Sequence, residues 1–157
     1  MRVRTPSLRL RSVHVHSLNY FNDNTTNPHF DMTLVAEIAV RNKNFGHFRF
    51  DNATANVTYG GVRVGDGEIV KGRARARSTK RMNVTIEVMS SNERSVPQSM
   101  AKLSGDIRSG NLTLTSVAEL RGKVTLMKVI KKKKTAHMNC TMTVNLGTKS
   151  VRDLRCQ

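Results

Sequence analysis

The chain contains no tryptophan, and none of its seven aromatic residues follows Tyr59: they are Tyr20, Phe21, Phe30, Phe45, Phe48, Phe50 and Tyr59. Proteins that hold single-stranded nucleic acid interleave basic side chains with aromatic platforms for the bases. No helix-turn-helix or zinc-finger spacing occurs either, so nucleic acid is disfavoured as a partner. Long apolar runs are also missing. The longest stretch free of Asp, Glu, Lys and Arg, Thr135 to Thr148, is too short and too polar for a membrane-spanning helix of roughly 20 residues. Met1-Arg-Val-Arg-Thr-Pro-Ser has the arginines of a signal peptide but no apolar region behind them.

Acidic residues are scarce, 11 Asp+Glu against 27 Lys+Arg, which leaves a net charge of +16 over 157 residues. Strand parity turns Glu37, Glu87 and Glu119 outward, while Asp51, Asp66 and Asp106 fall at strand ends or in turns, so no acid/base pair stands out. His14, His16, His29, His47 and His137 show no metal-ligand spacing. The glycine-rich stretches lack the lysine and following helix of a phosphate-binding loop. No enzyme, no metal and no cofactor is expected.

What the sequence does have is a period of two. Phe30, Met32, Leu34, Ala36, Ile38 and Val40 alternate with mostly polar residues, the pattern of a half-buried strand. The alternation recurs at Ala53 to Tyr59, Met82 to Val88, Leu112 to Leu114 and Met138 to Leu146, which gives at least six strands. Gly60-Gly61, Gly65-Asp66-Gly67, Ser109-Gly110 and Gly147-Thr148 supply turns between them. Leu8 and Leu10 are followed by Val13 and Val15, so the inward parity switches around Arg11-Ser12, as a bulge would make it do. One short helix is expected from about Pro97 to Ile107. Together these features predict an all-β fold, an antiparallel β-sandwich. Residues 1–7 form a lead-in and residues 8–157 the domain.

Asn-x-Ser/Thr occurs at Asn24, Asn52, Asn56, Asn83, Asn111 and Asn139. Random arrangement of the same residues gives about two such triplets, glycan acceptors in a secreted chain. Parity turns five of them toward water, and Asn24 sits in the polar Asn22–Asn27 segment, so all six are expected to face water. A strand face rich in Asn and Thr also makes such triplets by accident, and in the cytosol none is used. A hairpin turning at Gly147-Thr148-Lys149 pairs residues whose numbers sum to 296, which sets Cys140 opposite Cys156 and Met142 opposite Leu154. That register predicts a cross-strand disulfide in an oxidising compartment, the alternative being two reduced thiols.

Lys71, Arg73, Arg75 and Arg77 alternate with Gly72, Ala74 and Ala76, so one strand face carries a row of like charge, extended by Lys80 and Arg81. Lys128 and Lys131, Lys132, Lys133 and Lys134 form a second cluster. An anionic partner relieves such repulsion and releases its own counterions. An acidic cell-wall polysaccharide or anionic lipid head groups fit; the alternative is a solvated face that aids solubility.

A set of strings adds a resemblance: Leu8-Arg-Leu-Arg-Ser-Val, Phe30-Asp-Met-Thr-Leu-Val-Ala-Glu, Arg41-Asn-Lys-Asn-Phe-Gly, Tyr59-Gly-Gly-Val, Lys71-Gly-Arg-Ala-Arg-Ala-Arg, Ser109-Gly-Asn-Leu-Thr-Leu-Thr-Ser, and Lys131-Lys-Lys-Lys-Thr-Ala-His-Met-Asn-Cys-Thr-Met-Thr-Val-Asn-Leu. In this order they resemble the plant late embryogenesis abundant group 2 proteins. That group is also described as the water-stress and hypersensitive-response (WHy) domain and is similar to the harpin-induced and race-specific disease resistance proteins. The resemblance implies a seven-stranded sandwich, similar to fibronectin type III and immunoglobulin domains, with one helix and no catalysis. It implies a role in desiccation and other stress or in defence. Many members place this domain outside the plasma membrane behind one transmembrane helix, and Met1-Arg-Val-Arg resembles the segment that directly follows that helix. With such a helix upstream, the sequons and the cysteine pair face an extracellular, oxidising medium. Without it, the chain is a soluble cytosolic desiccation protectant without a defined binding site. Many relatives carry Asn-Pro-Asn where this chain has Asn42-Lys43-Asn44.

Overall fold

The alternating stretch that starts at Phe30 forms a strand whose Phe30, Met32, Leu34, Ala36, Ile38 and Val40 side chains are all buried. Ten such strands and one helix make up the computed structural model, which describes residues 2–21, 28–90 and 97–157, with side chains described except at 97–101. In chain order they are β1 (Ser7–Phe21), β2 (His29–Asn42), β3 (Phe48–Phe50), β4 (Ala53–Tyr59), β5 (Val62–Ile69), β6 (Gly72–Ala74), β7 (Ser78–Met89), α1 (Pro97–Ser109), β8 (Asn111–Leu126), β9 (Ile130–Asn145) and β10 (Ser150–Cys156). The fold is all-β, and every strand pairing is antiparallel.

The strands hydrogen-bond as one connected sheet. Its path runs β1-β2-β7-β5-β4-β8, with β9 and β10 continuing beyond β8. β3 and β4 occupy the same edge of β8, at residues 122–124 and 115–117, and β6 continues from β3 as β5 does from β4. β1 then packs back against β9 and β10, so the sheet rolls into a nearly closed barrel. Closure covers strand edges that would otherwise pair with other chains. The resemblance implies seven strands. The described residues form ten; two long strands are each interrupted, one at Asp51-Asn52 and the other at Val70-Lys71, so the ten amount to eight continuous strands.

Inward residues from all sides meet in one core, in which Leu34, Ile86, Leu114, Leu120 and Met142 are fully buried. β1 follows its own parity. Its register against β2 shifts between Leu10 and Ser12, where the sequence places a bulge, and again between Val15 and Ser17. The second shift returns even-numbered residues to the interior and buries Leu18. α1 buries Leu103 and Ile107, four apart on one face. It ends at Gly110, whose φ of 88° and bonds to the Asp106 and Ile107 carbonyls close the last turn. Beside the helix, the Tyr59 hydroxyl donates to the Asp106 carboxylate, which also pairs with Lys102 Nζ at 2.9 Å.

Candidate functional site

The alternation of β2 runs on beyond its last residue, Asn42, so Arg41, Lys43 and Phe45 are exposed while Asn42 and Asn44 are buried. The two asparagines would be costly inside a protein unless every polar atom found a partner. Asn42 Nδ2 donates to the carbonyls of Gly46 (2.9 Å), Ala74 (3.1 Å) and Arg75 (3.2 Å). Its Oδ1 accepts from Asn44 N and Asn44 Nδ2. Asn44 exchanges two bonds with the Arg4 main chain: it accepts at Oδ1 from Arg4 N (2.7 Å) and donates from Nδ2 to Arg4 O (2.8 Å). Arg77 N donates to Asn44 O. Two side chains therefore tie together the N-terminal segment, the loop after β2 and the β6–β7 turn.

Those three segments each carry cations, and the knot gathers them. Arg2, Arg4, Arg41, Lys43 and Arg77 line a cleft of about 630 Å³ together with Phe45 and Leu126. The Arg77 guanidinium sits 4.9 Å from the centre of the Phe45 ring, a cation–π arrangement. A second cleft of about 520 Å³, lined by Lys71, Arg73, Arg75 and Lys80, shares Ser78 and Thr79 with the first. Together they form a band of nine cations, and no carboxylate is among the described residues that line it. Ion pairs among the described residues use Arg11, Arg63, Lys102, Arg121 and His137, and none uses a cation of the band.

The sequence puts Lys71 to Arg77 on one strand face, and the structure corrects this. β6 stops at Ala74, and the chain turns through Ala76 and Arg77, which has φ 56°; Ser78 N closes the turn on Arg75 O. Lys71, Arg73 and Arg75 stay on the second cleft while Arg77 crosses to the first. Arg81, on β7 opposite Ala39, is exposed and lines neither. Lys131, Lys132 and Lys133 are exposed and Lys134 half-buried on β9, with Lys133 directly opposite Lys123; these lysines line neither cleft. Arg2, Arg4, Arg41 and Lys43 escaped the sequence reading, although the spacing of Arg41, Lys43 and Phe45 carried the signal.

Asn52, Asn83, Asn111 and Asn139 are exposed. Asn56 departs from the expectation: it is half-buried, and its Oδ1 is enclosed without a partner, because β5 and β8 flank it on both sides. Asn24 lies outside the described residues. Asn52, Asn56 and Asn139 line one groove of about 830 Å³ over β4, β8 and β9, with Glu119 and His137.

Cys140 and Cys156 are joined, with an S–S distance of 2.01 Å. The register that brings them together is not uniform. Ser150, Val151 and Arg152 face Asn145, Val144 and Thr143; a bulge follows, and only then do Arg155 and Cys156 face Thr141 and Cys140. Leu154 falls inside that bulge instead of opposite Met142. Among the described residues, no three His, Cys, Asp or Glu side chains gather as metal ligands.

Fold and site together define a small, strongly basic, all-β domain. The family model described as late embryogenesis abundant protein, LEA_2, matches residues 37–142. A late embryogenesis abundant protein of Arabidopsis thaliana is 37% identical over 162 residues, a match that covers 100% of this chain and 72% of that protein. The chain belongs to the late embryogenesis abundant LEA_2 family, whose proteins are associated with stress. Among solved structures, a protein from Archaeoglobus fulgidus gives a TM-score of 0.45 at 12% identity, over 87% of this chain and 96% of that one. An Arabidopsis thaliana protein solved in solution gives 0.42 at 12% identity, over 90% of this chain and 83% of that one.

Proposed function

We propose that this is a non-enzymatic stress and defence-response domain that works at the outer face of the plasma membrane by holding its basic band against an anionic surface. The observation that carries this reading is the band itself: nine cations line two adjoining clefts, with no carboxylate among the described lining residues. Repulsion among them is relieved by a polyanion, whose released counterions add to the driving force. Acidic cell-wall polysaccharide and anionic lipid head groups both supply such a surface. Four exposed sequons and a bridged cysteine pair fit an extracellular, oxidising medium.

The test is retention of the domain on polygalacturonate and on vesicles containing phosphatidylserine, at low and at moderate salt. Retention on at least one, falling steeply as salt rises, is the expected result. Retention that ignores salt, or none on either, overturns the reading. Protection of a client enzyme during drying that survives neutralisation of Arg73, Arg75 and Arg77 would then favour a soluble protectant without a defined site.

A further inference from the structure

The β8–β9 hairpin ends in a tip that polar contacts do not explain. Its ladder runs unbroken from Asn111 opposite Asn145 to Leu126 opposite Ile130, and it turns through Met127, Lys128 and Val129. Met127 is 77% exposed, Val129 80% and Ile130 45%. Met127 and Lys128 have φ of 52° and 62°, a backbone that hairpins ordinarily give to Asn and Gly. An apolar residue thus stands at a strained position while facing water, and such outliers concentrate where a segment is held for a task.

The surroundings say what could meet this tip. Phe45, 67% exposed, stands at its base: Gly46 packs so closely that a Cβ there would fall 1.6 Å from the Thr125 carbonyl oxygen, and Thr125 N donates to His47 O. Leu126 and Phe45 line the same cleft as Arg2, Arg4, Arg41, Lys43 and Arg77. Lys128 lies within the tip, and Lys131, Lys132 and Lys133 stand exposed on the strand that leaves it. Apolar side chains therefore project from a collar of cations. A polysaccharide offers Met127 and Val129 no apolar phase. An anionic bilayer offers both a charged surface and, just below it, a medium for apolar side chains.

We infer that the β8–β9 tip is a membrane-docking element, in which Met127, Val129, Ile130 and Phe45 enter the interface of an anionic lipid bilayer while Lys128, Lys131 and the arginine cleft contact its head groups. This rests on the basic band's attraction to anions and narrows it to one partner. The N-terminal segment, with Arg2 and Arg4, reaches the same end of the barrel.

The chain has no tryptophan, so Val129→Trp supplies a single reporter at a position of ordinary backbone. On vesicles of phosphatidylcholine and phosphatidylserine its emission is expected to shift to shorter wavelength and to be quenched by lipids brominated near the head group. A second variant, Met127→Asn with Val129→Ser, keeps the turn and removes the apolar tip. It should bind these vesicles at least about tenfold more weakly yet remain on polygalacturonate as the unaltered protein does, if that is retained. Vesicle binding that is equal for both proteins, with an unshifted reporter, overturns tip insertion and leaves the electrostatic reading standing. Retention on polygalacturonate but not on anionic vesicles overturns the choice of lipid. Failure on both overturns the underlying reading as well. A shift that appears without vesicles and grows with protein concentration would assign the tip to a second copy of the chain and overturn the inference.

Discussion

Asn44 grips Arg4 by a reciprocal pair of hydrogen bonds, Arg4 N to Oδ1 at 2.7 Å and Nδ2 to Arg4 O at 2.8 Å. A side-chain amide here pairs with the main chain as a neighbouring strand would, across forty residues of sequence. The contact fixes the N-terminal segment against the loop after β2 and so decides where Arg2 and Arg4 stand.

Asn42→Ala should destabilise the domain by about 2–4 kcal/mol, because it orphans carbonyls and a donor in a buried setting. Asn44→Ala should cost about 1–3 kcal/mol and also free Arg4 from the cleft. Urea unfolding gives both values. A cost below about 0.5 kcal/mol for Asn42→Ala would show that the knot is not structural.

Removing the disulfide, by Cys140→Ser with Cys156→Ser, should cost about 3 kcal/mol, the cross-link closing a loop of 16 residues. Among the described strands β10 pairs with β9 alone, so its amides should be the first to lose protection. Melting curves with and without reductant, followed by hydrogen exchange, check both statements.

Tyr59 has its hydroxyl pKa pushed well above the usual value of about 10, first by burial and then by its hydrogen bond to Asp106 and that group's charge. The folded state therefore holds the proton more tightly than the unfolded chain does. Its contribution is complete below pH 10 and is lost progressively as pH rises above that value. Tyr59→Phe should cost about 1–2 kcal/mol at neutral pH. Its stability should fall less steeply than that of the unaltered protein between pH 10 and 11, which alkaline denaturation measures.

Replacing Met127-Lys128 by Asn-Gly should raise stability by about 1 kcal/mol, since those residues accept positive φ and the present ones do not. Calorimetric melting checks the gain. A loss of stability would mean that packing, not turn strain, governs the tip.

Much of the fold is legible in the sequence because one physical rule, alternation against a single interior, governs β2, β4, β7 and β9. The bulge near Arg11-Ser12 and the helix containing Leu103 and Ile107 follow from the same rule applied to parity and to a four-residue spacing. The turn at Ala76-Arg77 was invisible for a related reason. It contains neither Gly nor Pro, and the alternating arginines run through it unchanged, so a bent segment reads as a straight one. The cysteine pair was legible because Gly147 marks the turn, although the bulge around Asp153, with φ 54°, shifts the register on the way. The cleft was hidden because its cations come from residues 2–4, 41–43 and 77, which are brought together by the β2–β7 pairing and by hydrogen bonds that Asn42 and Asn44 make across tens of residues.

The basic band is proposed to hold an anionic surface. Its most direct test is the salt dependence of binding to phosphatidylserine vesicles or polygalacturonate, for the unaltered protein and for Arg41→Gln with Lys43→Gln and Arg77→Gln. Affinity should fall steeply with salt, and the triple variant should bind more weakly with a shallower salt dependence. Equal affinity and equal salt dependence for the two proteins would contradict it.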